Sequence, residues 1–176
     1  MERGGFRKKA ALDGEGLGPA FFKRLLRSDQ QLYYSTPELN ETLYLHYLGV
    51  ERITGLDAFG ELRVLYLEGN AIRRIEGLEG LGRLRCLYLQ ENLIERIEGL
   101  GSQTELVSLN LSDNLIAAVE NLRGNPSLEM LQLRRNRLGV NGLADLAGLA
   151  DCPRLASLDI AANRIDCDDP EAFLAL

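Results

Sequence analysis

Residues 62–83 read LRVLYLEGNAIRRIEGLEGLGR, and this stretch decides the fold. The next block, 84–105, repeats it as LRCLYLQENLIERIEGLGSQTE, and looser copies occupy 40–61, 106–127, 128–154 and 155–176. The first four blocks are 22 residues long, the fifth is 27 residues long, and the sixth stops with the chain. A fixed period of about 20 to 50 residues is typical of proteins built from stacked, similar units.

The shared pattern is L-x-x-L-x-L-x-x-N-x-I-x-x-I-x-x-L-x-x-L, which is that of a leucine-rich repeat. The alternation in L-x-L predicts a short strand with one face inward, and successive strands stack in parallel about 4.8 Å apart. An asparagine follows the strand in five blocks, and Leu48 replaces it in the first. Because an amide both donates and accepts hydrogen bonds, we expect an internal ladder along the stack. Its members are Asn70, Asn92, Asn114, Asn136 and Asn163.

The second half of each repeat has a period of three, which favours 3₁₀ turns or short helices on the convex side. The fifth repeat has five extra residues, and its stretch NGLADLAGLADC predicts a helical turn or two that begins near Asn141 or Gly142. The predicted fold class is therefore an α/β repeat solenoid, with a parallel sheet on the concave face and 3₁₀ or short helices on the convex face.

A solenoid needs caps over its end repeats. We expect residues 1–18 to be a flexible basic segment and residues 19–39 to form a helical cap and lead-in, which includes Tyr33 and Tyr34. Within it, 19–31 has the pattern of an amphipathic helix, with Pro19 near its start. The apolar face would contain Phe22, Leu25 and Leu26, with Asp29 at the same spacing.

The other end stops inside a repeat, which predicts that the natural protein is longer. In the stretch DCDDPEAF, Asp168 or Asp169 is expected to cap a helix that has Pro170 at its first position. We prefer that interpretation to a calcium site, since the stretch lacks the spaced ligands and terminal glutamate of a calcium-binding loop.

Composition and charge limit the possible functions. An apolar content of 45% and a charged content of 26% fit one folded domain. Residues 1–36 hold seven basic and four acidic residues, net +3, whereas 37–176 hold thirteen arginines and twenty-two acidic residues, net −9. A body this acidic disfavours nucleic-acid binding. No apolar run approaches the length of a transmembrane helix, so no membrane association is expected.

The three cysteines, Cys86, Cys152 and Cys167, form no metal-binding pair. Their odd number and the lack of a signal peptide favour a reducing compartment. His46 is the single histidine, and its position indicates neither a metal site nor a catalytic dyad with Cys86, so we interpret it as a structural or interface residue. No catalytic constellation emerges from the sequence. We therefore predict that the protein is not an enzyme and needs no cofactor.

The outward positions of the strands predict the binding face. The central ones are Tyr44, Tyr66, Tyr88, Asn110, Gln132 and Asp159. One interpretation is that the tyrosines merely stack on one another. We favour a protein-binding face, because tyrosine and arginine are preferred anchors at interfaces. The predicted protein-binding residues are Tyr44, His46, Tyr47, Tyr66, Glu68, Tyr88, Gln90, Glu91, Asn110, Asp113, Gln132, Arg134 and Arg135.

The motifs RIEGL and VENL resemble the 22-residue repeat subclass typified by a regulatory subunit of protein phosphatase 1. Within that subclass, LYYSTPELNETLYLHYLG at 32–49 and the two following repeats resemble the leucine-rich-repeat dynein axonemal assembly factors. The chain departs from that family at Leu48, where a lysine is usual, and the family's C-terminal cap and acidic tail are missing.

The resemblance implies a non-enzymatic scaffold in the cytoplasm of ciliated or flagellated cells, with the cilium as a second location. It would preassemble dynein arms together with dynein chains and chaperones, and we expect it to be a monomer. Two alternatives stay open. One is a regulatory subunit of a protein phosphatase, and the other is a stable dynein- or microtubule-associated component of the axoneme.

Overall fold

The computed structural model describes residues 16–165. Predictions for 1–15 and 166–176, which include the helix start at Asp168 or Asp169 and Pro170, lie outside the described residues. One helix, α1, precedes the sheet, and two 3₁₀ helices accompany it. The elements are α1 (Pro19–Ser28), a 3₁₀ helix (Pro37–Leu39), β1 (Thr42–Tyr44), β2 (Val64–Tyr66), β3 (Cys86–Tyr88), β4 (Ser108–Asn110), β5 (Met130–Gln132), a second 3₁₀ helix (Gly142–Asp151) and β6 (Ser157–Asp159).

The six strands form one parallel sheet in the order β1 to β6. Tyr44 pairs with Tyr66 and Tyr66 with Tyr88, so between the first strands the register advances by one 22-residue repeat. The central leucines of the first five strands are fully buried: Leu43, Leu65, Leu87, Leu109 and Leu131. The predicted fold class is confirmed, with the sheet on the concave face and the aliphatic core behind it.

The asparagine ladder joins each repeat to the one before it. Asn92 donates its side-chain N–H groups to the carbonyls of Leu67 and Leu89 at 3.0 Å, and its Oδ1 accepts the N–H of Ile72 at 3.0 Å. Asn70 does the same for the first repeat, where its Oδ1 accepts the N–H of Leu48. Each amide therefore satisfies backbone groups of two neighbouring repeats, which would otherwise be buried without partners.

The convex side of the first four repeats is made of the tight turns that the period of three predicts. Successive turns there close through backbone bonds between residues three apart, such as the N–H of Leu81 to the C=O of Leu78 at 2.9 Å, but they do not join into helices. A left-handed residue interrupts each of these repeats: Gly55, Gly77, Gly99 and Asn121 have φ values between +59° and +70°, which a right-handed helix cannot include. In the fifth repeat, residues 143–151 have no positive φ, and the 3₁₀ helix runs for ten residues.

A buried carboxylate organises the start of that helix. Asp145 is 4% exposed. Its Oδ2 accepts the N–H groups of Gly139 and Asn141 at 2.9 and 3.0 Å, and its Oδ1 accepts the side-chain amide of Asn141 at 2.9 Å. The loop at 139–141 is thus folded around one charged side chain.

Helix α1 covers the first repeat, but it ends at Ser28 and not at 31. The reason is Asp29, whose Oδ1 accepts the N–H groups of Gln31 and Leu32 in a turn that competes with further helix. Phe21 is buried together with the predicted apolar residues of the helix. Phe22 packs against Phe59 of the first repeat, with ring centroids 5.0 Å apart.

Candidate protein-binding face

Three tyrosines on adjacent strands form a stack, which we call the tyrosine stack: Tyr44, Tyr66 and Tyr88. The ring centroids of Tyr44 and Tyr66 are 4.8 Å apart with an interplanar angle of 11°, and those of Tyr66 and Tyr88 are 4.7 Å apart at 8°. The strand spacing causes this match, since neighbouring strands lie about 4.8 Å apart. All three side chains stay half-exposed on the concave face.

The hydroxyls of Tyr66 and Tyr88 are held in their neutral form by a raised pKa. Burial raises the pKa of Tyr66, and the neighbouring Tyr44, Cys86 and Glu68 raise it further. Burial likewise raises the pKa of Tyr88, again with Cys86 and Glu68 nearby. At neutral pH these groups can therefore both donate and accept hydrogen bonds.

Beside the stack lies a row of polar side chains that follow β1, β2 and β3: His46, Glu68 and Gln90. His46 Nδ1 lies 3.7 Å from Oε1 of Glu68, and its ring meets those of Tyr44 and Tyr47 edge-on. Oε2 of Glu68 and Oε1 of Gln90 are shielded from solvent and accept no hydrogen bond from any residue in 16–165. This row therefore has spare hydrogen-bond acceptors, which are costly to leave unpaired when shielded from water.

Tyr47 lies across two neighbouring repeats at the edge of the face. Its side chain is 61% exposed, and its hydroxyl donates to Oε2 of Glu91 at 3.3 Å. The negative charge of Glu91 raises the pKa of Tyr47. The ring passes over Gly69, where a Cβ would lie 2.0 Å from the Cε1 atom of Tyr47. Glycine is therefore required between the two partners.

The residue before each ladder position adopts a left-handed conformation in all six repeats. The φ values lie between +52° and +65°, and five of the six residues are not glycine. In the first five repeats its N–H donates to a carbonyl of the next repeat, as Tyr47 does to Glu68 at 2.9 Å. The set is Tyr47, Gly69, Glu91, Asp113, Arg135 and Ala162.

The fourth and fifth repeats make the other half of the face. Oδ1 of Asn110 accepts the N–H of Ser112, so this side chain is turned toward its own repeat. Arg135 pairs with Asp113 at 3.4 Å. Gln132 and Arg134 are exposed, and Arg134 forms no salt bridge within the described part of the chain. The thirteen predicted residues thus lie in or just after the strands, with the tyrosines and Glu68 in repeats one to three and exposed Arg134 in repeat five.

Comparison with known proteins agrees with this architecture. The family model described as "Leucine Rich repeats (2 copies)" matches residues 60–102. The chain has the leucine-rich repeat fold. Internalin C2 from Listeria monocytogenes is similar in structure, with a TM-score of 0.63 and 27% identity over 72% of this repeat protein and 55% of the internalin. A leucine-rich repeat protein of Leptospira interrogans, at 21% identity and a TM-score of 0.68, covers 81% of this chain and 37% of its own and shows the fold alone.

The resemblance predicted from the residues is also confirmed. The repeat protein is 43% identical to dynein axonemal assembly factor 1 of Mus musculus over 63 residues, which are 35% of this chain and 10% of the relative. The Rattus norvegicus protein of the same name is 43% identical over 55 residues, 30% of this chain and 9% of the relative. The aligned stretch therefore spans about a tenth of the length of these curated relatives.

A second exposed patch on the repeat protein was not predicted. Leu32, Tyr34 and Leu39 are each at least half exposed and line a cavity of about 330 Å³ beside β1. Tyr33 is buried next to them, and its hydroxyl accepts the N–H of Tyr44 at 3.3 Å, so it covers part of the free edge of the sheet. Burial raises the pKa of Tyr33 to about 12.

Two kinds of site find no support in the repeat protein. Within residues 16–165, no group of three or more histidine, cysteine, aspartate or glutamate side chains is arranged to hold a metal ion. Over the same residues, no helix has the length and apolar character needed to cross a membrane.

Proposed function

We propose that this repeat protein is a non-enzymatic binding module for the cytoplasmic preassembly of axonemal dynein arms, and that its concave face binds the partner. The dynein role rests on the 43% identity with curated dynein axonemal assembly factors. Dynein chains and chaperones are the proposed partners, in ciliated or flagellated cells.

The tyrosine stack is the observation that supports the concave face as the partner-binding site. Stacking of aromatic rings contributes roughly 0.5–1.5 kcal/mol for each pair, but phenylalanine would provide the same contact without a hydroxyl. Here three hydroxylated rings lie half-exposed on the outer side of a sheet. Tyrosine is a frequent anchor at protein interfaces because it combines a large apolar area with a polar end.

The test is a pull-down from cytosol of ciliated cells. The variant Tyr44→Ser, Tyr66→Ser, Tyr88→Ser removes the tyrosine stack. We expect the original chain to capture dynein chains or chaperones and the triple variant to lose them. Tyr34→Ser is the matched control, since Tyr34 is 64% exposed but precedes β1 and is not part of the tyrosine stack.

A second triple variant with phenylalanine at the three positions keeps the stacking and separates loss of binding from loss of folding. Circular dichroism should show the same fold for all variants. Equal capture of dynein chains by the folded serine variant would refute concave-face binding. Capture of a phosphatase catalytic subunit in place of dynein would support the phosphatase alternative, and retention in axonemes after cilia are detached would support the axonemal one.

A further inference from the structure

We propose that the two ends of the concave face carry opposite charge, negative at repeats one to three and positive at repeat five. The partner segment then carries an arginine that binds repeats one to three and an acidic residue that binds repeat five. This inference rests on the proposed function, since it specifies the partner of the same face.

The first end offers acceptors. One oxygen of Glu68 lies 3.7 Å from His46, and its other oxygen has no donor among the described residues. Oε1 of Gln90, which follows the next strand, also lacks a donor in that part of the chain. Glu91 adds an exposed carboxylate that receives the hydroxyl of Tyr47. The exposed carboxylate of Glu91 attracts a cation, and a cation with several N–H groups would also supply donors for the two shielded oxygens.

Arginine fits this end better than lysine. A guanidinium is planar, holds five N–H donors in a fixed arrangement and packs on aromatic rings, whereas an ammonium is a compact, strongly hydrated point charge. The acceptors here lie beside three aromatic rings of the tyrosine stack, and Glu68 is near enough to Tyr66 and Tyr88 to raise the pKa of both. A cation near tyrosine rings gains further from their electrostatic field.

The second end offers a free cation. Asp113 neutralises Arg135 at 3.4 Å, but Arg134 is exposed and has no salt bridge within residues 16–165. Exposed Gln132 lies on β5 beside it. A carboxylate on the partner would pair with Arg134 and could accept two hydrogen bonds from its guanidinium.

The distance between the ends sets the spacing in the partner. Glu68 follows β2 and Arg134 follows β5, which is three strand spacings, or about 14 Å at about 4.8 Å each. An extended segment rises about 3.3 Å per residue, so the arginine and the acidic residue should be about four residues apart. In a helical partner, at about 1.5 Å and 100° per residue, the same-face spacing nearest to this distance is about eleven residues.

Phage-displayed random peptides of about twelve residues, selected on the full 176-residue chain, would test this. We expect selected peptides to contain an arginine and an acidic residue at one of these spacings. The double variant Glu68→Gln, Glu91→Gln should weaken their binding more than about tenfold, as expected when one partner of a close charge pair is removed. Arg134→Glu should weaken it too, and exchanging the peptide's acidic residue for arginine should restore it.

Glu98→Gln is the matched control, since the side chain of Glu98 is partly exposed and pairs with Arg74 away from the concave face. Peptides that lose binding on the serine variant of the tyrosine stack but show no arginine enrichment would overturn this inference and leave the proposed concave face standing. Peptides that bind the serine variant of the tyrosine stack as tightly as the original chain would count against the concave face as the binding site. Failure to select any peptide sensitive to the Glu68 and Glu91 substitutions would also overturn the inference.

Discussion

At the scale of single residues, Gln103 is a buried polar side chain whose unpaired acceptor should lower the stability of the fold. It is fully buried, its Nε2 donates to the C=O of Leu78 at 2.7 Å, and its Oε1 has no partner among the described residues. Leu81 occupies the equivalent place one repeat earlier and is also fully buried.

We therefore predict that Gln103→Leu raises the free energy of unfolding by about 1 kcal/mol, because an unpaired buried acceptor disappears. The C=O of Leu78 still accepts the N–H of Leu81 at 2.9 Å. Urea unfolding measures the change. Gln103→Ala should be destabilising because it leaves a cavity, and a lower stability of the leucine variant would contradict the prediction.

The carboxyl group of Asp145 should make a pH-dependent contribution to the free energy of unfolding. Burial raises the pKa of its carboxyl, but hydrogen bonds from Asn141 and from the backbone at 139–141 outweigh burial and hold the pKa below its ordinary value. Because the folded pKa lies below the unfolded value of about 3.9, its stabilisation is present above about pH 4 and is lost as pH falls through the folded pKa.

Asp145→Ala should cost about 2–3 kcal/mol at pH 7, since charged hydrogen bonds are lost and buried N–H groups are left unpaired. The deficit relative to the original chain should shrink at about pH 3. Unfolding of both proteins at the two pH values measures it. An equal deficit at both would show that the charge of Asp145 does not matter.

At the scale of structural elements, the left-handed backbone at Gly69 should couple the stability of the first two repeats, because the ring of Tyr47 packs over it. Gly69→Ala places a Cβ 2.0 Å from the ring of Tyr47. It also forces alanine into a left-handed conformation with φ +65°, which is unfavourable for a residue with a Cβ. We expect a loss of about 1–3 kcal/mol.

Tyr47→Ala in the same chain should recover the part of that loss due to the ring and leave the part due to φ. A double-mutant cycle by urea unfolding separates the two. Additive effects of the two substitutions would mean that the ring moves away from Gly69 without cost.

The sequence predicted some of these elements and not others. The L-x-L alternation gave the strands and their register, and the constant asparagine gave the ladder. A period of three could not distinguish isolated turns from 3₁₀ helices, because the difference lies in the left-handed backbone at positions such as Gly77 and Asn121, which the period does not reveal. The face followed from alternation, but the Tyr47–Glu91 contact did not, since a tyrosine does not signal a left-handed conformation.

At the scale of the whole molecule, exposed ion pairs run between successive repeats as an arginine–glutamate ladder. Arg52 pairs with Glu76, Arg74 with Glu98 and Arg96 with Glu120, each at 2.9 Å. The hydrogen bond from Arg52 lowers the pKa of Glu76, and the one from Arg96 lowers that of Glu120.

The triple variant with glutamine at Glu76, Glu98 and Glu120 should lower the urea midpoint only slightly, and less in high salt, because exposed pairs are screened. The lowered pKa values mean that the difference from the original chain is present above about pH 4 and fades at lower pH. A large loss that does not change with salt would indicate that the ladder is a main source of stability.

The tyrosine stack also gives the molecule an optical property. The chain has no tryptophan, so its near-ultraviolet absorption and emission come from six tyrosines, and three of these are stacked nearly parallel at 4.7–4.8 Å. Transition dipoles at that separation couple, so the near-ultraviolet circular dichroism of the protein should be dominated by one surface. A partner without aromatic residues that binds there would change this signal directly, and its binding could be followed without any label.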